Sequence, residues 1–222
     1  MSIPDTPDRH GRIVLVRHGH VEGIAPPCFR GRADLPLTEK GLKQAEATRD
    51  FLSTLARPAA VYTSPLARCV RTAELIAQPH QLAPRLMPAF VDIDYGSWQG
   101  KSFDDIQAAA PEAFACWLRA PHLVAIPGGE TLYEVAARLA GVLRTLVSRH
   151  RNETVVLVGH DSVNRVLLLL ALELPLSRFW SFHQSPCGVS VLEQDAAGGW
   201  YAISINETMH LRALGSWAGT AR

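Results

Sequence analysis

The sequence predicts an α/β protein: a three-layer α/β/α sandwich with a mostly parallel central sheet and an antiparallel edge strand. Three observations predict it. Short apolar runs alternate with helical stretches along the chain, which is the pattern of a sheet covered on both faces. The first run, Ile13-Val14-Leu15-Val16, has four apolar residues, three of them β-branched, as a strand buried on both faces requires. The last two runs are joined by the short link 195–199, which fits an antiparallel hairpin at one edge.

Strand-like runs fall at 13–16, 60–63, 86–91, 154–158, 189–193 and 201–205. Gly19 lets the chain turn sharply after the first. Thr38-Glu39-Lys40-Gly41 opens a helix reaching about Leu55, with Thr38 as its N-cap. Pro65 starts a second helix over 66–77. Residues 131–149 form a third, with Leu132, Val135, Ala136, Leu139, Val142, Leu143 and Leu146 at helical spacing. Asp161 or Ser162 caps a fourth, running to about Leu172. The stretch 96–129, interrupted by Pro111, Pro121 and Pro127, is less regular. It reads as an insertion or lid over the active site within one domain spanning 1–222.

Composition bounds the function. The 222 residues suffice for one sizeable core. With 22 basic and 21 acidic residues the formal net charge is +1, so no broad positive field exists to hold nucleic acid or a membrane surface. Cys28, Cys69, Cys116 and Cys187 are scattered without a CxxC pair, which argues against a zinc site or disulfide framework. Residues 1–12 lack the apolar core of a signal peptide, and the apolar run 166–172 is too short to span a bilayer. The expected setting is the cytoplasm.

Chemistry concentrates where strands end. Arg17-His18-Gly19 places a permanent cation and an imidazole at the carboxyl end of a strand, where open α/β sheets bind ligands. The arginine fork matches phosphate oxygens, and histidine is a nucleophile at neutral pH. Val155-Val156-Leu157-Val158-Gly159-His160 repeats the arrangement. Arg68 lies just inside the helix after the second strand, at a helix end that attracts anions. Asp92 follows the third run, and Asp94 stands in the turn Asp94-Tyr95-Gly96.

Together these segments resemble the histidine phosphatase superfamily, also called phosphoglycerate mutase-like. The stretch from Phe29 through Arg30-Gly31-Arg32-Ala33-Asp34-Leu35-Pro36-Leu37-Thr38 to Ala45 is similar to the family's F-x-G-x-x-D-x-P-L-T-x-x-G-x-x-Q-A in unbroken register. Ser64-Pro65-Leu66-Ala67-Arg68, Asp94-Tyr95-Gly96-Ser97-Trp98-Gln99-Gly100, Pro127-Gly128-Gly129-Glu130-Thr131, Gly159-His160 and Asn206-Glu207-Thr208-Met209-His210-Leu211 resemble further motifs in order. The resemblance implies that His18 is the nucleophile that becomes phosphohistidine. Arg17, Arg68 and His160 bind the phosphate oxygens, His160 also counting as catalytic, and Asp92 is the proton donor, with Asp94 as the alternative. It implies no metal and no cofactor, a small phosphate ester as partner, and allows a homodimer through a sheet edge.

The chain departs from the common pattern after Gly19. His20, Val21 and Ile24 stand where the family has Glu or Gln, Thr or Ser, and Asn, so polar contacts to substrate are missing. Asp92 replaces a commoner Glu, which suggests activity at mildly acidic pH. Arg30 and Arg32 read either as guides for an anionic substrate or as surface charge, and His20 as a substrate contact or an exposed ring. His210 and Asn206 read as structural or at the pocket edge. Trp98 packs at its turn, while Trp117 and Trp180 line the lid or fill core. His10, His80, His122, His150 and His183 lack matching context. The reading favoured is a metal-independent phosphomonoesterase. The alternatives are a phosphoglycerate mutase-type phosphoryl transfer, a non-catalytic phosphate-binding module and, more weakly, a metallohydrolase. The missing basic, proline-rich insertion between Gly100 and Gly128 argues against the mutase, and the paired arginines against a metal.

Overall fold

Strand β1 (Arg12–Arg17) and strand β4 (Thr154–Gly159) form the centre of a six-stranded sheet, and five of six residues in each are buried. They pair in parallel, with Arg17 opposite Gly159, so both strands deliver their following residue to the same edge. The computed structural model describes residues 11–24, 26–55 and 57–215. The remaining strands are β2 (Ala60–Thr63), β3 (Arg85–Leu86), β5 (Val189–Gln194) and β6 (Trp200–Glu207), in the order β3-β2-β4-β1-β5-β6. β1 to β4 run in parallel, β5 runs against them beside β1, and β6 hairpins back along β5.

Alternating residues of the central strands feed two cores, as the period of two requires. Val14, Val16, Val61, Val156 and Val158 pack with Leu52 of helix α1 (Glu39–Leu55) and Cys69, Ala73 and Ile76 of α2 (Ala67–Ala77). Ile13, Leu15, Val155 and Leu157 pack with Leu139 and Val142 of α5 (Leu132–Arg149) and Val163, Val166 and Leu167 of α6 (Asp161–Ala171). The expected three layers are present. Thr38 caps α1 by accepting from Gly41 N at 3.1 Å, and Thr131 caps α5 in a reciprocal box with Glu134.

The structure corrects four local expectations. The run 86–91 is not a strand: β3 ends at Leu86, and Pro88–Phe90 is a 3-10 turn, because Pro88 has no N–H for a ladder. The second helix begins at Ala67; Leu66 is still extended and holds the N-cap position. Neither Asp161 nor Ser162 caps α6. His160 holds that position, and Asp161 is the first helical residue, its carboxylate taken by two arginines. Residues 96–129 are more regular than expected, containing α3 (Phe103–Ala109) and α4 (Pro111–Arg119). Pro111 is no breaker there: it opens α4, where its missing N–H costs nothing.

These helices close on an aromatic cluster. Phe29 contacts Tyr95, Trp98, Phe103, Phe114 and Trp117, and Trp117 contacts Phe179 and Trp180. Trp98 and Trp117 are therefore core, and Trp180 donates to the Trp117 carbonyl. All four cysteines are free. Among the described residues no helix is long and apolar enough to cross a membrane. The readings of the N-terminal segment and of His10 fall on residues 1–10, outside the described residues.

Candidate active site

His18 and His160 meet because β1 and β4 are parallel neighbours. Their rings lie 5.3 Å apart, edge to face, and both are buried. His18 Nδ1 is 2.7 Å from its neighbour's carbonyl, Gly19 O. A carbonyl only accepts, so Nδ1 carries the proton and Nε2 keeps its lone pair. Gly19 serves a different end from the sharp turn expected. A Cβ on it would lie 2.5 Å from Gly41 O, so glycine is needed for the close approach of α1.

Two arginines flank the pair. Arg17 donates to Gln184 O at 2.5 Å and pairs with Asp161 at 3.0 Å. Arg68, with no exposed surface, donates to Ala33 O at 2.6 Å and Gly31 O at 2.8 Å. Each nonetheless keeps a buried Nε with no protein acceptor. Buried donors are nearly always satisfied, so two orphaned guanidinium N–H groups beside two histidines describe a place for anionic oxygens.

Asp92 completes the cluster. Its Oδ2 is 3.2 Å from Arg68 Nη2 and 3.5 Å from His160 Nδ1, and its Oδ1 accepts from Ile93 N at 3.0 Å. Asp94 faces elsewhere: it accepts from Gly96 N at 2.8 Å and pairs with Arg32, fastening the turn. Burial drives the His18 and His160 pKa values well below the imidazole range, with Arg68 adding to the effect in both. Burial raises the Asp92 carboxyl, and Arg68 only partly opposes this. The site thus favours neutral imidazoles beside a carboxyl inclined to hold a proton.

Several residues around this cluster were given no role by sequence reasoning. Ser64 is 2.8 Å from His160 Nε2. It opens the segment Ser64-Pro65-Leu66-Ala67-Arg68, so the motif was the signal. Arg138 on α5 donates to Ala89 O, Val91 O and Asp92 O and pairs with Glu130, clamping the segment that carries Asp92. Glu130 also accepts from Asp94 N and pairs with Arg32. Arg165 pairs with Asp161 and so stands behind Arg17. No sequence spacing announces Arg138, whose partners are backbone carbonyls and a carboxylate of other elements, whereas Arg165 stands four residues after Asp161 on α6, a spacing that brings the two side chains together.

The residues left open also resolve. His20 bonds the Thr38 hydroxyl at 2.9 Å, and its N–H donates to Gln44, which ties it to the start of α1. Arg32 is occupied by Asp94 and Glu130. His210 stacks on Phe51 and bonds Thr48, so it is structural. Asn206 accepts from Ser185 N at 2.7 Å, next to the carbonyl that Arg17 uses. His150 is held by Tyr62 and Glu153.

Comparison with known proteins agrees with this geometry. A family model for the histidine phosphatase superfamily, branch 1, matches residues 13–208. The chain is 34% identical over 205 residues to phosphoserine phosphatase 1 of Hydrogenobacter thermophilus, covering 90% of this chain and 94% of that protein. It is 34% identical over 160 residues to a metal-independent phosphoserine phosphatase of Arabidopsis thaliana, covering 71% and 67%. Among solved structures, Bacillus stearothermophilus YhfR superposes with a TM-score of 0.84 at 30% identity, covering 90% and 99%. A match of this extent, over strands, helices and the whole histidine–arginine cluster, places the chain in the histidine phosphatase superfamily.

Proposed function

We propose that this chain hydrolyses small phosphate monoesters through a phosphohistidine on His18. The observation that carries the reading is the pairing of His18 and His160 at adjoining strand ends, 5.3 Å apart, between two buried arginines with orphaned Nε donors. The Nε2 lone pair of His18 attacks phosphorus, and the ester P–O bond breaks with its electrons on the leaving oxygen. Asp92 gives that oxygen a proton. Arg17, Arg68 and His160 hold the phosphoryl oxygens as charge spreads over them, which is where most of the catalysis in phosphoryl transfer lies. Water then attacks phosphorus, Asp92 takes its proton, and the N–P bond breaks to return the electron pair to His18. Every step uses protein groups and water. On this reading residues 96–129 belong to the same domain and serve as its lid, which the ring contacts of Phe29 with Trp98, Phe103 and Phe114 support. The phosphoserine phosphatases among the relatives make O-phosphoserine the first ester to try.

The test is phosphate release from a panel of monoesters in the presence of chelator, comparing wild type with His18→Ala. Release that disappears in the variant, together with an acid-labile phosphoenzyme in wild type, is the expected result. A phosphoenzyme that passes its phosphate to an acceptor without releasing it to water identifies a mutase instead. No phosphoenzyme and no release leaves only a binding module.

A further inference from the structure

The two arginines of the segment that follows Phe29, Arg30 and Arg32, have different surroundings. Arg32 is neutralised by Asp94 at 3.3 Å and Glu130 at 3.1 Å. Arg30 is half-buried, and its guanidinium donates to Gly23 O, a neutral acceptor. Among the described residues it takes part in no ion pair. A guanidinium withdrawn partly from water without a counter-charge is costly unless an anion joins it.

Its segment holds a pocket arginine in place. Arg30 precedes Gly31, whose carbonyl accepts from Arg68, and Ala33 O accepts from the same guanidinium. It follows Phe29, which is fixed by the aromatic cluster and by two backbone bonds, Phe29 N to Lys101 O and Gly100 N to Phe29 O. Arg30 thus rides on a braced segment one residue from the partners of a phosphate-pocket arginine. The guanidinium reaches back to the Gly23 turn, the loop where Val21 and Ile24 offer no polar side chain. Its positive charge acts on Arg17, His160, Asp92 and Asp161, which sets it within electrostatic reach of those four groups.

We propose that Arg30 is a specificity residue that binds a second anionic group, a carboxylate, on the alcohol portion of the phosphate ester. The planar fork of arginine suits a carboxylate, and one uncompensated positive charge matches one negative charge. This rests on the phosphatase reading above and narrows it: the preferred esters carry a carboxylate near the phosphorylated oxygen.

Two substrate pairs isolate that group. Phosphoserine and phosphoethanolamine differ by a carboxylate, and 3-phosphoglycerate and glycerol 3-phosphate differ by a carboxylate in place of a hydroxymethyl. The quantity read is the ratio of kcat/KM within each pair, in wild type, Arg30→Gln and Arg30→Lys. The expected result is a wild-type ratio above about tenfold that collapses toward one in Arg30→Gln, mainly through KM, with Arg30→Lys between them; a desolvated charge pair supports a change of that size. An equal loss for both members of a pair would put Arg30 on the transferred phosphoryl group and overturn the assignment. So would a ratio that survives Arg30→Gln. A second readout needs no turnover: calorimetric binding of the same four esters to His18→Ala and to His18→Ala/Arg30→Gln. A carboxylate preference present in the first protein and absent from the second upholds the assignment even if the phosphatase reading fails.

Discussion

The Asp92 carboxylate lies 3.2 Å from the Arg68 guanidinium and 3.5 Å from His160 Nδ1, where burial raises its pKa and Arg68 opposes the rise. Asp94, two residues on, is one-third exposed and tied to the Gly96 turn and Arg32. The two carboxylates therefore predict different variants. Asp92→Asn should lower kcat for an alkyl phosphate by about 10²–10⁴-fold, the usual worth of a positioned acid or base. With p-nitrophenyl phosphate the leaving group needs no proton, so the first step survives and the second, which needs a base, does not. Rapid mixing should show a burst of p-nitrophenol near one per enzyme, followed by slow turnover and accumulated phosphohistidine. Asp94→Asn should show no burst and a kcat close to wild type. The reverse pattern would move the proton donor to Asp94.

The pH dependence follows from the direction of the shifts. Burial and Arg68 keep His18 neutral to well below the usual imidazole range, so acid does not silence the nucleophile until the pH is low. Asp92 must be protonated for the first step, and burial extends its protonated range upward from that of a free aspartate, about 3.9. The shorter side chain alone suggested a more acidic donor than Glu; burial opposes that tendency. The expected kcat/KM for an alkyl ester is highest on the mildly acidic side and falls as the pH rises through the Asp92 pKa. In Asp92→Asn that alkaline limb should flatten. A wild-type rate still rising above pH 8 contradicts the assignment.

The sequence made the sheet legible wherever a strand is buried on both faces. Ile13 to Val16 and Val155 to Val158 are apolar without interruption, and each is followed by the histidine that its strand end presents. Thr38 marked a helix start because a hydroxyl just before an amphipathic run has one common use, and Thr131 proves to hold the same place before α5. Short elements were less legible. Residues 86–91 look strand-like in composition, yet Pro88 and the clamp from Arg138 bend them into a turn. Asp161 looks like a cap, but Arg17 of β1 and Arg165, one turn further along α6, claim its carboxylate. Local propensity cannot report a partner that only the fold brings near.

Arg138 offers the sharpest test of how far the site depends on such partners. It touches neither histidine, yet its guanidinium fills with Ala89 O at 2.7 Å, Val91 O at 2.8 Å, Asp92 O at 3.3 Å and the Glu130 carboxylate at 3.1 Å. The segment 88–92 has no ladder of its own beyond Leu86, so this clamp sets where Asp92 sits. Replacing Arg138 with Met keeps the stem and removes the fork. It strands the Ala89 and Val91 carbonyls of a partly buried segment, each worth about 1–3 kcal/mol when left unsatisfied, while Glu130 keeps Arg32 and Asp94 N. The expected outcome is a lowered Tm together with a fall in kcat for alkyl phosphates that exceeds the fall for p-nitrophenyl phosphate in the burst phase. KM should change little, since Arg17 and Arg68 remain in place. The alkaline limb of the rate profile should also shift, because Asp92 loses its fixed distance to Arg68. A variant that is merely less stable would lose activity equally on both esters and keep the wild-type pH profile below its Tm; that result would reduce Arg138 to a structural tie.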